Sequence, residues 1–212
     1  MFSLRTNWVV DYCAPAHQRA LAATRLLDLA RSNTIELHLP APCLSEASWA
    51  IRKKFQPREA NALREYLKWA RLNGHLDAND DQATRRVLEN FERAVSRDLD
   101  NLESRLSALR TEVGLEIFAL SEAMLERSIT LAAEKLDLRP FDNSILAAIL
   151  IKADELRGRG HSDLAFCELD GDLQPWDKNG RDKPVLKRLY DNARVWVYGD
   201  FTITTPGPPD NW

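Results

Sequence analysis

Five acidic side chains fall where strands are predicted to end or helices to begin, and they are Asp11, Glu46, Asp142, Asp170 and Asp172. Ligand sites of parallel sheets gather outside the carboxyl ends of the strands, so these acids are predicted to meet at one edge. Carboxylates that converge without Lys or Arg partners repel one another unless hard cations neutralise them. Oxygen ligands of this kind suit Mg²⁺ or Mn²⁺, which bind phosphate oxygens and activate water. The chemistry that this set predicts is hydrolysis of a phosphodiester bond.

Each acid taken alone also has a structural interpretation. Glu46 and Asp142 are expected in the first turn of a helix, where a negative charge gains about 0.3–1 kcal/mol from the helix dipole. The sequence from Asp170 to Asp172 is also typical of a turn. Asp11 gains nothing obvious from packing, because it directly follows the apolar run 8–10. Only the whole set, in this order, predicts a site.

The elements that would position these acids alternate between strands and helices. Short apolar runs predict strands at residues 8–10, 35–39, 115–120, 164–169 and 195–198. Apolar periodicity predicts helices at residues 16–32, 45–55, 57–72, 121–136, 140–157 and 184–190. Ser45 and Ser121 are predicted N-caps, and Pro57 is a predicted first residue. This alternation predicts an α/β fold with a mostly parallel sheet of about four to five strands, covered on both faces.

The stretch 78–110 is highly charged and carries a sparse apolar seam at three- and four-residue spacing. It is predicted to form either one long helix or a pair of helices broken near residues 97–100. Residues 1–204 are predicted to form a single domain with residues 78–112 as a helical insertion. Residues 205–212 are predicted to be a loosely ordered tail.

Composition excludes several classes of protein. The three cysteines are widely spaced and lack a CxxC pair, which argues against a disulfide framework or a zinc ribbon and favours a reducing compartment. No apolar stretch approaches the roughly 18 residues of a membrane helix, so a cytoplasmic location without a membrane partner is expected. The formal net charge of −3 gives no overall basic signature, so contacts with nucleic acid would depend on local patches such as 52–54.

Three short motifs resemble the PIN-domain ribonucleases, which include the VapC-like toxins of toxin–antitoxin pairs. The motifs are Val9-Val10-Asp11, Arg139-Pro140-Phe141-Asp142-Asn143-Ser144-Ile145-Leu146-Ala147-Ala148 and Leu169-Asp170-Gly171-Asp172-Leu173. The resemblance covers about residues 7–74 and 113–203, with the charged helical stretch between them as an insertion. It implies a PIN-like three-layer α/β/α fold.

The resemblance also implies an endoribonuclease that uses one or two Mg²⁺ or Mn²⁺ ions. Asp11 and Asp142 would be the principal ligands, and Asp170 or Asp172 would complete the cage. Glu46 would bind the metal through water or orient the attacking water. The implied partners are an RNA substrate, an antitoxin protein if the chain is the toxin of a type II pair, and a second copy in a homodimer.

The chain departs from the family pattern at two places. Many members place a small hydroxyl residue and then Asn after the first Asp, where this chain has Tyr12 and Cys13. Members often carry Thr or Ser two positions before the fourth acid, where this chain has Glu168. Because both changes touch groups that would orient metal or phosphate, a second hypothesis is a catalytically weakened PIN-like scaffold that binds proteins through residues 78–110. A third hypothesis keeps the same site but assigns it to structured DNA.

Two further patterns give little support to other kinds of site. Cys13 and His17 would lie one helical turn apart, as a thiol nucleophile and its base require, but no third group is placed to orient the base. The four histidines have no zinc-binding spacing, and the chain has no glycine-rich phosphate loop.

Overall fold

A computed structural model of the chain describes residues 1–15, 19–55, 59–134, 136–203 and 207–209. His17 and Pro57 lie outside these ranges, as does most of the predicted tail. The strands are β1 (Phe2–Ser3), β2 (Leu37–Pro40), β3 (Leu115–Phe118), β4 (Leu164–Cys167) and β5 (Val195–Tyr198). The helices are α1 (Thr6–Cys13), α2 (Leu21–Arg31), α3 (Pro42–Phe55), α4 (Glu59–Leu72), α5 (Ala78–Ala108), α6 (Glu122–Ala133), α7 (Pro140–Gly158) and α8 (Pro184–Ala193). A 3-10 turn, Leu109–Thr111, follows α5.

The five strands form one parallel sheet in the order β3-β2-β1-β4-β5. The chain moves outward from β1 through β2 to β3, and then returns to β4 on the other side of β1. Helices α1, α2, α3 and α5 pack with one another, whereas α6 and α8 both pack on α7. Right-handed crossovers place these two groups on opposite faces, which gives the predicted three-layer α/β/α fold. The strand order reverses between β1 and β4, the point where such sheets form ligand crevices.

The predicted first strand is wrong. Strand β1 is Phe2–Ser3, and Trp8, Val9 and Val10 are buried residues of α1. A short apolar run suits a buried strand and a buried helix equally well, so its length and composition could not decide between them. Consequently Asp11 lies inside a helix, and Arg5 follows the central strand at the carboxyl edge.

Most other elements match the predictions. Strands β2 to β5 lie at the predicted runs, and α6 begins after Ser121, whose hydroxyl accepts the Met124 N–H at 3.3 Å. Helix α3 begins at Pro42, so Ser45 is an internal residue and not a cap. For the same reason the prediction that Glu46 lies in the first turn of this helix is wrong. Of the two alternatives for residues 78–110, the single long helix is confirmed.

Helix α7 forms the centre of the core, as its near-continuous apolar sequence predicts. Residues Ile145 to Ile149 are at most 1% exposed.

Among the described helices, none combines the length and the apolarity that crossing a bilayer requires.

Gly114 fixes the entry into β3. Its φ of +80° is unfavourable for a side chain, and a Cβ at this position would lie 2.5 Å from the carbonyl oxygen of Ala30. Its own carbonyl accepts the Leu37 N–H at 3.0 Å. Strand β3 therefore joins the sheet only if this residue has no side chain.

We expect Gly114→Ala to lower the free energy of unfolding by about 2–4 kcal/mol, because it adds a backbone clash to a strained φ. Gly74→Ala is the matched control, since Gly74 has a φ of +71° but no atom within 4 Å of the place where a Cβ would stand. That change is expected to cost about 1 kcal/mol. Urea unfolding measures both, and equal losses would contradict the close approach to Ala30.

Candidate functional site

Arg5 emerges at the carboxyl end of the central strand. The chain stays extended beyond β1, because the Leu4 N–H donates to the His38 carbonyl at 2.9 Å and Arg5 has a φ of −129°. Helix α1 then begins at Thr6, which directs the chain away from the sheet. Arg5 is only 5% exposed, so its guanidinium is held inside the edge of the sheet.

Asp142 reaches the same point from the opposite helical layer. Pro140 opens α7 with a fixed φ, which places Asp142 in the first turn of that helix. Asp142 is 3% exposed, and its Oδ1 accepts a hydrogen bond from Arg5 Nη2. The helix dipole that favours an acid here is therefore supplemented by a full positive charge.

Glu168 directly follows β4 and is completely buried. Its Oε2 accepts from Arg5 Nη1 at 2.8 Å, and its Oε1 accepts from the Asp170 N–H at 2.5 Å and from Asn7 Nδ2 at 3.5 Å. Arg5 thus bridges the two carboxylates, and three segments of chain are tied together at the switch point of the sheet.

The balance of charge at this cluster is visible in the pKa values of its members. Burial raises the pKa of Glu168 to about 7, although Arg5 acts to lower it. Burial likewise raises the pKa of Asp142 against the opposing effect of Arg5. Burial acts to lower the pKa of Arg5, but attraction to Glu168 and Asp142 outweighs that effect and raises it. One guanidinium compensates two carboxylates, so neither acid is fully relieved of its desolvation.

Three other predicted site residues lie around the mouth of this cluster. Asp11, Glu46 and Asp170 line, together with Arg5, a cavity of about 460 Å³. Glu46 accepts a hydrogen bond from the hydroxyl of Thr6, and Asp11 lies 3.8 Å from Lys54 Nζ. The fourth, Asp172, is exposed, and its negative charge, like those of Glu46 and Asp170, acts to raise the pKa of Asp142.

The expected Mg²⁺ or Mn²⁺ centre requires carboxylates that have no basic partner, and Asp142 has one. Within the described ranges, no three Asp, Glu, His or Cys side chains form a group that could hold a metal ion. Asp142, predicted as a principal ligand, is paired with Arg5, and a cation would have to displace the guanidinium to reach it. Metal binding stays a prediction, and the contacts of Arg5 argue against it.

The sequence interpretation missed Arg5, Thr6 and Asn7, because it placed the first strand at residues 8–10. The signal that was available is the strict alternation of apolar and polar side chains from Phe2 to Arg5.

Cys13, considered as a nucleophile, is buried, and burial raises the pKa of its thiol to about 12. It is therefore protonated and unreactive at neutral pH.

Comparison of the chain with known proteins finds no matching family model, no matching curated protein and no matching solved structure.

We expect Arg5→Met to lower the free energy of unfolding by about 3–5 kcal/mol, because it leaves two buried carboxylates without a counter-charge. Arg31→Met is the matched control, since Arg31 also bonds two acids, Glu112 and Asp28, but at the surface. That control is expected to lose less than about 1 kcal/mol. Urea unfolding of the two variants measures the difference, and similar small losses would show that the Arg5 cluster is not a buried ion pair.

The raised pKa of Glu168 predicts how stability varies with pH. Its folded-state pKa is about 7 and its ordinary value is 4.5, so the folded state holds a proton that the unfolded state has lost. The resulting stabilisation is fully present below the lower value and is lost as pH rises through the higher one. Glu168→Gln has no such proton to lose. Between about pH 5 and about pH 8, wild type is therefore expected to lose about 2 kcal/mol relative to Glu168→Gln.

Urea unfolding across this pH range tests the expectation. Glu126→Gln, at an exposed position of α6, is the control and should follow wild type at every pH. A constant difference between wild type and Glu168→Gln would mean that Glu168 stays ionised throughout.

Proposed function

We propose that this chain is a PIN-like protein-binding module in which Arg5 has replaced the metal ion of a nuclease site. The observation that carries the proposal is the pairing of one buried guanidinium with both Asp142 and Glu168. A positive charge already occupies the place where the sequence pattern predicts a cation. The chain therefore keeps the acidic edge of such a fold without the ion that would make it catalytic.

The residues that follow Arg5 support this assignment. Thr6 and Asn7 are the small hydroxyl residue and the asparagine that the family pattern places after its first acid. They come directly after the central strand, where that acid would stand. By this alignment the first acid of the pattern corresponds to Arg5 and not to Asp11, and the mismatch at Tyr12 and Cys13 disappears.

The second departure from the family pattern then has a physical explanation. A hydroxyl residue at position 168 would leave Arg5 with a single carboxylate partner. Glu168 supplies the second one and lies 2.8 Å from Arg5 Nη1. The two unusual residues are thus complementary in charge and in direct contact.

A guanidinium cannot perform the chemistry that the metal would supply. A metal ion activates water by accepting its lone pair and lowering its pKa. Arginine offers only N–H donors, and it neither ligates water nor loses its proton at physiological pH. Arg5 therefore stabilises the edge electrostatically but generates no nucleophile.

A protein-binding role is supported by the arm that α4 and the first half of α5 form. Helix α5 is 31 residues long, and its second half packs on the core through Leu99, Leu102 and Leu106. The arm is held together by ion pairs between its two helices, Arg64 with Glu92 and Arg71 with Asp81. Because α4 packs mainly on α5, the outer side of this helical pair is available for docking a partner.

A second candidate function is a metal-dependent ribonuclease whose site is displaced toward the solvent. It is favoured by one observation: Asp11, Glu46 and Asp170 line the same cavity beside Arg5. In this alternative the acids at the mouth, and not Asp142, would hold the ion.

The two functions are separated by metal dependence. Wild type is expected to show no Mg²⁺- or Mn²⁺-dependent cleavage of single-stranded RNA compared with EDTA, and no rise in melting temperature when Mn²⁺ is added. Arg5→Asp removes the guanidinium and adds a carboxylate. The carboxylates of this variant then need an added cation to balance their charge. We expect Mn²⁺ to raise the melting temperature of that variant by several degrees, since an ion bound to the folded state stabilises it. Arg5→Asp combined with Asp142→Asn is the control that should lose much of this rise.

RNA cleavage that requires metal in wild type, and that is lost in Asp11→Asn, would contradict the proposal and favour the displaced nuclease site. If added Mn²⁺ leaves the melting temperature of Arg5→Asp unchanged, the result would contradict the proposal that Arg5 stands in the place of the metal ion.

A further inference from the structure

One face of the arm carries five large apolar side chains that are 45% to 66% exposed. They are Leu63, Tyr66 and Trp69 of α4, and Val87 and Phe91 of α5. We call this set the arm face. Scattered exposed apolar residues are normal, but a contiguous group that includes three aromatic residues indicates an interaction surface.

The geometry of the arm places the five side chains together. The pairs Arg64–Glu92 and Arg71–Asp81 show that α4 and α5 run antiparallel. Ala70 and Leu88 are the buried residues of their contact. At 100° per residue, Tyr66 and Trp69 turn to the same flank of this contact as Val87 and Phe91, and Leu63, seven residues before Ala70, lies on the contact line beside them.

The opposite flank of the arm has a different character. It forms a cleft of about 340 Å³ in which charged side chains predominate. The residues Arg64, Lys68, Arg71, Asp81, Arg85, Glu89 and Glu92 line it. The arm therefore has one flank suited to solvent and one, the arm face, that remains apolar.

Two of the three aromatic side chains of the arm face already contact other rings before any partner binds. Tyr66 and Trp69 stack with ring centroids 5.9 Å apart, and Trp69 packs on His75 at 5.3 Å. Such rigid aromatic residues lose little conformational entropy on binding and dominate the energy of protein interfaces.

We propose that a second copy of this chain covers the arm face, so that two arms pack into a four-helix bundle. The inference rests on the proposed protein-binding function and names its partner. The five side chains carry no charge, so the face offers no attraction for a nucleic acid or a strongly charged peptide. A twofold axis brings an identical pair of apolar stripes, at the same spacing, against each arm.

The area of the arm face agrees with this partner. Its five side chains expose on the order of 500 Å² of apolar surface, given that aromatic residues bury about 150–250 Å² each. A standard interface buries about 800 Å² per partner, and homodimer interfaces are about 65% apolar, which requires about 500 Å². The arm face thus supplies most of the apolar area that such an interface needs.

The test is the mass of the full chain in solution, by sedimentation equilibrium over a series of concentrations. Wild type is expected to be a dimer. Trp69→Glu combined with Phe91→Glu is expected to weaken self-association by about 100-fold or more, because it buries charge at two aromatic anchors. Ile129→Glu, at an apolar position of α6 that is 75% exposed, is the control and should remain dimeric. Circular dichroism confirms that all three proteins are folded.

A wild-type chain that stays monomeric at every concentration would overturn the proposal. A dimer that survives the Trp69 and Phe91 changes, or one that Ile129→Glu disrupts, would overturn it as well and move the interface away from the arm. The result is independent of the RNA and Mn²⁺ measurements, because those address the Arg5 cluster and use different variants. Cleavage activity in a dimeric wild type would therefore reject the proposed function while leaving the dimer intact.

Discussion

The structure depends on one buried guanidinium that holds two buried carboxylates at the carboxyl edge of the sheet. Arg5 is separated from Asp142 by 137 residues and from Glu168 by 163, so these contacts join β1, α7 and β4 at a single point. Burying any one of these charges alone would cost several kcal/mol. The three are tolerable only together, and this mutual dependence explains why all three residues are at most 5% exposed. At this edge of the sheet the chain itself supplies the positive charge that balances the two acids.

A guanidinium and a metal ion solve the same electrostatic problem with different consequences. Both neutralise converging carboxylates, but a metal keeps open positions for water and for phosphate oxygens. Arg5 is covalently part of the chain, so it cannot exchange with solvent and does not depend on the concentration of an ion. Its planar fork directs one nitrogen to each carboxylate, which fixes the distance between the two acids. Arg5 therefore forms a direct connection between the two halves of the sheet.

Sequence patterns predicted the elements whose signals are local. The near-continuous apolar run of α7 and the serine cap of α6 are set by neighbouring residues, and both are found where expected. The first strand was misplaced because β1 has only two residues, too few for periodicity to identify, whereas Trp8–Val10 offered a stronger apolar run. Because of that error, Arg5 was not predicted to lie at the carboxyl edge of the sheet. The partnership of Arg5 with Glu168 could not be predicted, since it is created by the adjacency of β1 and β4 and not by any spacing along the chain.

Helix α5 connects the helices beside the Arg5 cluster to the arm. Its second half lies against α1 and α3, the helices that carry Thr6 and Glu46, and Leu102 and the following Leu109 are at most 2% exposed. Its first half leaves the core and presents Val87 and Phe91 to the surroundings. Because one continuous helix spans both environments, the arm is held at a fixed position relative to the sheet and needs no loop to orient it. Because the base of the arm packs against the core, binding at the apolar face of the arm has a lower entropic cost.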